Sequence, residues 1–149
     1  MRAVVQRVRS AAVTVDEVVV GRIDVGFLVL LGVTVGDTDA DLTYIVDKVA
    51  NLRVFPDAEG RMNVDITGTG GALLVVSQFT LAGDCRNGRR PSWIAAARPD
   101  EAKAWYECAV QAWRARGLRV ETGVFQADMQ VALVNDGPVT LLLDSRRDF

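Results

Sequence analysis

Histidine is absent from all 149 residues. That removes Ser-His-Asp and Cys-His triads, histidine general bases and nearly all catalytic zinc sites. Cysteine is scarce: Cys85 and Cys108 have neither metal-ligand spacing nor a disulfide framework. Free thiols in a cytoplasmic protein are the expectation. No apolar run reaches the ~18 residues of a membrane span. The best, Gly26 to Val35, is strand-length and rich in β-branched residues. Residues 1–9 alternate apolar and charged, unlike a signal peptide. A basic surplus is also lacking, with net charge −2 and a pI of about 5.1. Such a chain does not coat DNA or RNA through a broad basic surface, so any nucleic-acid contact is local. The chemistry must come from hydroxyls, carboxylates, backbone dipoles or the substrate itself. Nothing calls for a metal or organic cofactor, and no carboxylate pair has a persuasive metal or acid/base spacing.

What is present fits one domain over residues 1–149. Half the residues are hydrophobic and 24% are charged, enough to bury a core without staples. Ala3 to Val8 and Ala12 to Val15 read as strands, and Val18 to Ile23 completes a hairpin around Asp16-Glu17. Phe27 to Val33 is apolar throughout, as in a strand covered on both faces. Thr38 and Asp41 resemble a capping box. Behind them Leu42, Ile45, Val46, Val49 and Leu52 share one helical face. Asp57 to Gly60 is turn chemistry, and Gly68 to Gly71 a loop with no phosphate-binding signature. Ala72 to Val76 is a buried strand. A polar loop covers Gly83 to Pro91. A second helix starts at Pro99, carries Asp100 and Glu101 early and Arg114 and Arg116 late, and stops at Gly117. Its buried face is Ala102, Trp105, Tyr106, Ala109 and Trp113. Three strands follow, at Leu118 to Thr122, Met129 to Val134 and Val139 to Leu143, and about 145–149 reads as a flexible charged tail. The order suggests a layered α/β domain with mixed sheets.

Two segments stand out chemically. Ser77-Gln78-Phe79-Thr80-Leu81 continues a buried strand with polar residues, either as hydroxyls capping backbone groups or as an active-site wall at a strand's C-terminal end. In a regular strand Gln78 and Thr80 share one face, Ser77 and Phe79 the other. Asn135-Asp136-Gly137-Pro138-Val139-Thr140 is either an ordinary turn or a site for a cis Gly-Pro bond, whose cost is only about 0.5–1 kcal/mol. A cis bond can direct two successive carbonyl oxygens to one side, a rigid acceptor pair for an ammonium group. Arg86, Arg89 and Arg90 form the one dense basic loop, either as solvated charge or as phosphate contacts. Trp93, Trp105 and Trp113 read as core residues.

These two segments together resemble the D-aminoacyl-tRNA deacylase family. The likeness extends to Gln6-Arg7-Val8, Arg90-Pro91-Ser92-Trp93 (where the family usually has Phe at 93) and Ala127-Asp128-Met129-Gln130-Val131, and so to essentially the whole chain. Asp65 to Gly70 and the Arg-Arg-Asp-Phe end depart from it. The resemblance implies a three-layer β/β/α fold and a homodimer with its sites at the subunit interface. It implies hydrolysis of the ester linking tRNA to a D-amino acid, and to glycine mischarged on tRNA(Ala), with L-amino acids rejected. Gly137-Pro138 of one subunit then enters the other's pocket, supported by Arg7 and within a segment begun by Asn135, and faces a wall of Ser77, Gln78, Phe79 and Thr80. The expected partner is the aminoacylated 3′ end of tRNA, with no membrane or DNA. Backbone N–H groups near Phe79 and Thr80 are the expected oxyanion donors. The adenosine 2′-OH is expected to assist water. The alternative is an esterase or amidase on small substrates with Thr80 as nucleophile.

Overall fold

The computed structural model describes residues 1–149. In chain order the elements are β1 (Arg2–Val15), β2 (Val18–Ile23), β3 (Gly26–Gly32), α1 (Asp39–Asn51), β4 (Phe55–Pro56), β5 (Met62–Val64), β6 (Ala72–Ser77), α2 (Pro99–Ala115), β7 (Arg119–Thr122) and β8 (Gln130–Asp144). The two strands read at Ala3 to Val8 and Ala12 to Val15 are one, because β1 has partners along both edges. On one side it pairs with β3 and then β2, and on the other with β8 along nearly its whole length. The β1–β2 turn sets Asp16 and Glu17 at φ 47° and 65°, the positive values that tight hairpin turns require.

The main sheet runs β2-β1-β3-β6-β7, with β8 on the free side of β1. β3, β6 and β7 are parallel, and the remaining pairs are antiparallel. This is the mixed sheet expected. Phe27 to Val29 and Leu73 to Val76 are buried, as parallel strands with both faces covered demand.

One face packs under α1 and α2 around Phe27, Ile45, Val49 and Trp113. The other holds a smaller core built from Val8, Val13, Ile23, Leu28 and Leu74. That second core exists because the sheet curls back over itself. A Cβ at Gly21 of β2 would stand 2.4 Å from the carbonyl oxygen of Thr122 on β7. The three β/β/α layers therefore come from one continuous sheet plus a helical layer, and only glycine allows the two β layers so close.

The helix signals act as read. The Thr38 N–H and hydroxyl both donate to Asp41 Oδ2 at 2.8 Å. Gly117 ends the second helix at φ +81°. Trp113 is fully buried and donates from Nε1 to the Val46 carbonyl at 3.1 Å; truncating it to Ala would cost about 3–5 kcal/mol. The core reading fails for Trp93, which is 40% exposed because it lies in a loop beyond the sheet. Trp105 is half-buried.

The segment expected as a flexible tail is anchored at its start. Ser145 accepts from the Met1 ammonium at 2.7 Å and donates to Asp41 at 2.6 Å, and Arg146 reaches the Val35 carbonyl at 2.7 Å. Cys85 and Cys108 are free and exposed. No helix is long and apolar enough to cross a membrane.

Candidate active site

β6 ends at Ser77, and the Gln78 N–H donates to the Leu31 carbonyl at 2.8 Å as the last rung beside β3. The chain then turns. Phe79–Ala82 is a single 3₁₀ turn, so the strand geometry expected through Leu81 stops four residues early, and Gln78 and Thr80 do not share a strand face. Gly32 makes the turn possible. A Cβ there would come within 2.8 Å of the Gln78 carbonyl oxygen and 3.0 Å of Leu81 Cβ.

The first N–H groups of any helical turn have no partner inside it. Here those groups belong to Phe79 and Thr80. No side chain caps them and no backbone carbonyl elsewhere accepts from them. Two adjacent donors are thus left open on an exposed turn. The Thr80 hydroxyl accepts a hydrogen bond from Gln78 Nε2. An amide N–H cannot take up a proton, so this contact holds the hydroxyl without activating it.

Ser77, Gln78 and Phe79 form one wall of a cleft of about 680 Å³, the usual size for a small-molecule site. Arg98, Pro99, Ala102 and Tyr106 at the start of α2 also line it, together with Leu31, Phe125 and Met129. Tyr106 donates to the Val75 carbonyl at 2.8 Å. Burial, which disfavours its anion, pushes its pKa up to about 12, so it remains a neutral lining group. Thr80 stands just outside this lining.

Asn135 to Thr140 is not a turn between two strands. It is a bulge within β8. Gln6 of β1 faces Thr140 and Val8 faces Asn135, so Arg7 alone opposes residues 136–139. Because β1 continues unbroken, β8 resumes pairing beyond the inserted residues. The Gly137–Pro138 bond is cis and Gly137 has φ +138°. Asn135 closes the base of the bulge, accepting from the Val139 N–H at 2.7 Å and donating to the Val139 carbonyl at 3.1 Å. Arg7, 8% exposed, donates from Nε to the Asp136 carbonyl at 2.9 Å and from Nη1 to the Val54 carbonyl. Gly137 and Pro138 themselves are exposed.

The two segments do not meet within one chain. Ser77 registers with Leu31 and so with Ala3, four residues along β1 from Arg7. Three strand spacings separate β6 from β8. Together these give roughly 20 Å along the sheet. No residue from 135 to 138 lines the cleft.

The basic loop is less uniform than its sequence. Arg86 is bound to Asp84 through Nε at 2.8 Å and Nη2 at 2.7 Å. The same contact holds the Asp84 carboxyl well below the usual range. Arg89 and Arg90 are exposed and carry the loop's free charge. Sequence reasoning missed Arg98 and Trp93 as cleft residues. Arg98 precedes the helix start at Pro99 and carries no motif that would mark it. Trp93 looked like core by type alone.

Fold and cleft together define a layered β/β/α domain with a substrate-sized cleft. Among solved structures, a "c-Myc DNA Unwinding Element Binding Protein" is 38% identical, covers 97% of this chain and 98% of its own, and superposes with a TM-score of 0.91. A probable eukaryotic D-amino acid tRNA deacylase, 20% identical over 96% of this chain and 98% of its own, shares the fold with a TM-score of 0.82. A D-aminoacyl-tRNA deacylase of Desulfitobacterium hafniense is 61% identical over the full length of both chains. One from Thermus aquaticus is 59% identical over 97% of this chain and 95% of its own. Residues 4–144 match the description of the D-Tyr-tRNA(Tyr) deacylases. The chain belongs to this family of ester hydrolases.

Proposed function

We propose that this protein hydrolyses the ester bond of D-aminoacyl-tRNA, and of glycine mischarged on tRNA(Ala), releasing tRNA and the free amino acid. It acts in the cytoplasm as a homodimer with its two sites at the subunit interface. The observation that carries the reading is the separation of two complementary half-sites. A cleft with open N–H donors at its edge lies on one part of the surface, and an exposed, braced bulge bearing carbonyl acceptors lies elsewhere. A second copy supplying Gly137-Pro138 to the cleft makes one site from the two.

In that site the α-ammonium of the substrate is held by the Gly137 and Pro138 carbonyls. Main-chain acceptors braced by Arg7 and Asn135 cannot swing away, so they fix the substituents on Cα in space. A D side chain then points outward. An L side chain meets the backbone of the bulge, so the wrong hand is rejected by collision. Glycine has nothing to collide and passes. Water attacks the ester carbonyl carbon and the charge forming on its oxygen is taken by the Phe79 and Thr80 N–H groups. The bond to the tRNA 3′-oxygen breaks, and that oxygen leaves with a proton. With no histidine in the chain, the neighbouring 2′-OH of the terminal adenosine is the group placed to orient the water.

The deciding assay incubates the protein with D-Tyr-tRNA, L-Tyr-tRNA and Gly-tRNA and follows deacylation. Turnover of the first and third with the second untouched supports the proposal. Equal turnover of D and L esters overturns the bulge as selector. Efficient hydrolysis of small esters with a covalent acyl burst would establish Thr80 as nucleophile instead.

A further inference from the structure

Trp93 and Phe79 are the two large aromatic residues that the fold leaves uncovered at the cleft, and Trp93 is held rigidly. Its ring packs edge-to-face on Phe79, with centroids 5.4 Å apart and planes at 71°. The benzene edge lies against Gly83, where a Cβ would be 2.5 Å from the indole Cζ3. Any side chain at 83 would therefore unseat it. The backbone on either side is stitched down. Asp84 and Ser92 exchange two N–H···O bonds of 2.9 Å, and the Trp93 carbonyl accepts from the Ala96 N–H at 3.0 Å. Despite this, 40% of the residue faces solvent, and the adjoining Ile94 is 88% exposed.

A fixed, half-bare indole is what a stacking surface for a nucleobase requires, because stacking works only if the platform is already in place. Charge favours a nucleic acid over an apolar peptide. The loop that delivers Trp93 carries Arg89 and Arg90, both exposed. Arg86 is already committed to Asp84, which leaves these two for phosphates. Phe79 links the platform to the cleft wall, so the stacked base belongs next to whatever fills the cleft.

We infer that Trp93 stacks the nucleotide immediately 5′ of the terminal adenosine, with Arg89 and Arg90 taking the phosphates of that single-stranded end. This rests on the proposed reading that the ester-bearing adenosine occupies the cleft.

The test compares D-Tyr-tRNA with D-tyrosyl-adenosine, which lacks every upstream nucleotide. Trp93→Leu is expected to lower kcat/KM on the tRNA about tenfold more than on the nucleoside ester, chiefly through KM. Trp93→Phe, which keeps an aromatic face, should restore most of that difference. Equal losses on both substrates, or a loss that tracks the size of the amino-acid side chain, overturn the inference. So does weakened dimerisation of Trp93→Leu in sedimentation, because the ring would then be covered by protein. A second readout does not depend on catalysis. A short uncharged RNA ending in CCA should quench the fluorescence of the wild-type protein and not that of Trp93→Phe. Equal quenching of both places the base elsewhere. Wild-type protein that deacylates neither substrate sinks the deacylase reading, while the fluorescence result still decides the platform.

Discussion

Two polar inserts interrupt the same sheet, and they are built in opposite ways. At the end of β6 the backbone leaves the sheet altogether. Its turn exposes N–H groups that nothing in the subunit uses, beside a ready cleft. In the middle of β8 the chain leaves the sheet for a few residues and returns. There the spare backbone is braced by Asn135 and by the buried Arg7 guanidinium, and it faces open solvent. One insert offers donors beside a cavity and the other offers acceptors on a promontory. On the proposed reading neither is a catalytic site alone, and each subunit carries one half of two sites.

The strongest way to break this comparison is to deform the promontory. Gly137→Ala puts a Cβ 2.7 Å from Val139 Cγ2 and 3.0 Å from Arg7 Nη2, at φ +138°. Deacylation of D-Tyr-tRNA should fall about a hundredfold, the scale of a ~1 Å misplacement. Near wild-type rates would show that the bulge is not part of the site. Mixing this variant with one whose cleft is disabled should recover about a quarter of wild-type activity, since half the dimers are mixed and each holds one complete site. Failure to recover any activity argues that both halves act within one subunit.

Loosening the brace should have a smaller effect. Asn135→Ala removes two contacts to Val139, each worth roughly 0.5–1.5 kcal/mol. The preference for D over L esters should drop about tenfold, measured as the ratio of kcat/KM values. Unchanged discrimination would mean that Arg7 alone sets the bulge.

On the cleft side, Thr80→Ala deletes a hydroxyl held by Gln78 but leaves the N–H donors. A loss of only a few fold is expected. Complete inactivity with intact tRNA binding would favour the nucleophile alternative.

The smallest effect lies far from both inserts. Hydrogen bonds from Ser145 and Thr38 lower the Asp41 pKa from 3.8 to about 2. A depressed carboxyl stabilises the fold above its ordinary value and loses that contribution as pH falls through the folded one. Wild type should therefore lose slightly more stability than Asp41→Asn between about pH 4 and 2, as seen in acid-titrated melting curves. Parallel curves for the two proteins would show that this contact contributes nothing.

The periodic parts of the fold were readable because local rules decide them. Thr38 and Asp41 cap a helix whether or not a sheet lies beneath it, and Gly117 stops one for the same reason. The errors fell where pairing partners outvote the local pattern. Asn135 to Thr140 has the composition of a turn, yet the uninterrupted β1 opposite it converts the segment into a bulge. Ser77 to Leu81 looks like strand, yet β3 ends at Gly32 and leaves β6 nothing to pair with. Trp93 was assigned to the core by residue type, and only the loop's path shows it to be bare.

By itself the sequence determined the family, through two intact motifs, and the absence of histidine chemistry, through composition. It also determined both helices, because caps and apolar faces act over a few residues. The tertiary structure alone decided that the two motifs lie on strands three spacings apart in the sheet and that one bears open donors and the other braced acceptors. It also decided that the indole at 93 is exposed. Those facts depend on register and sheet curl, which arise from contacts between residues far apart in the chain.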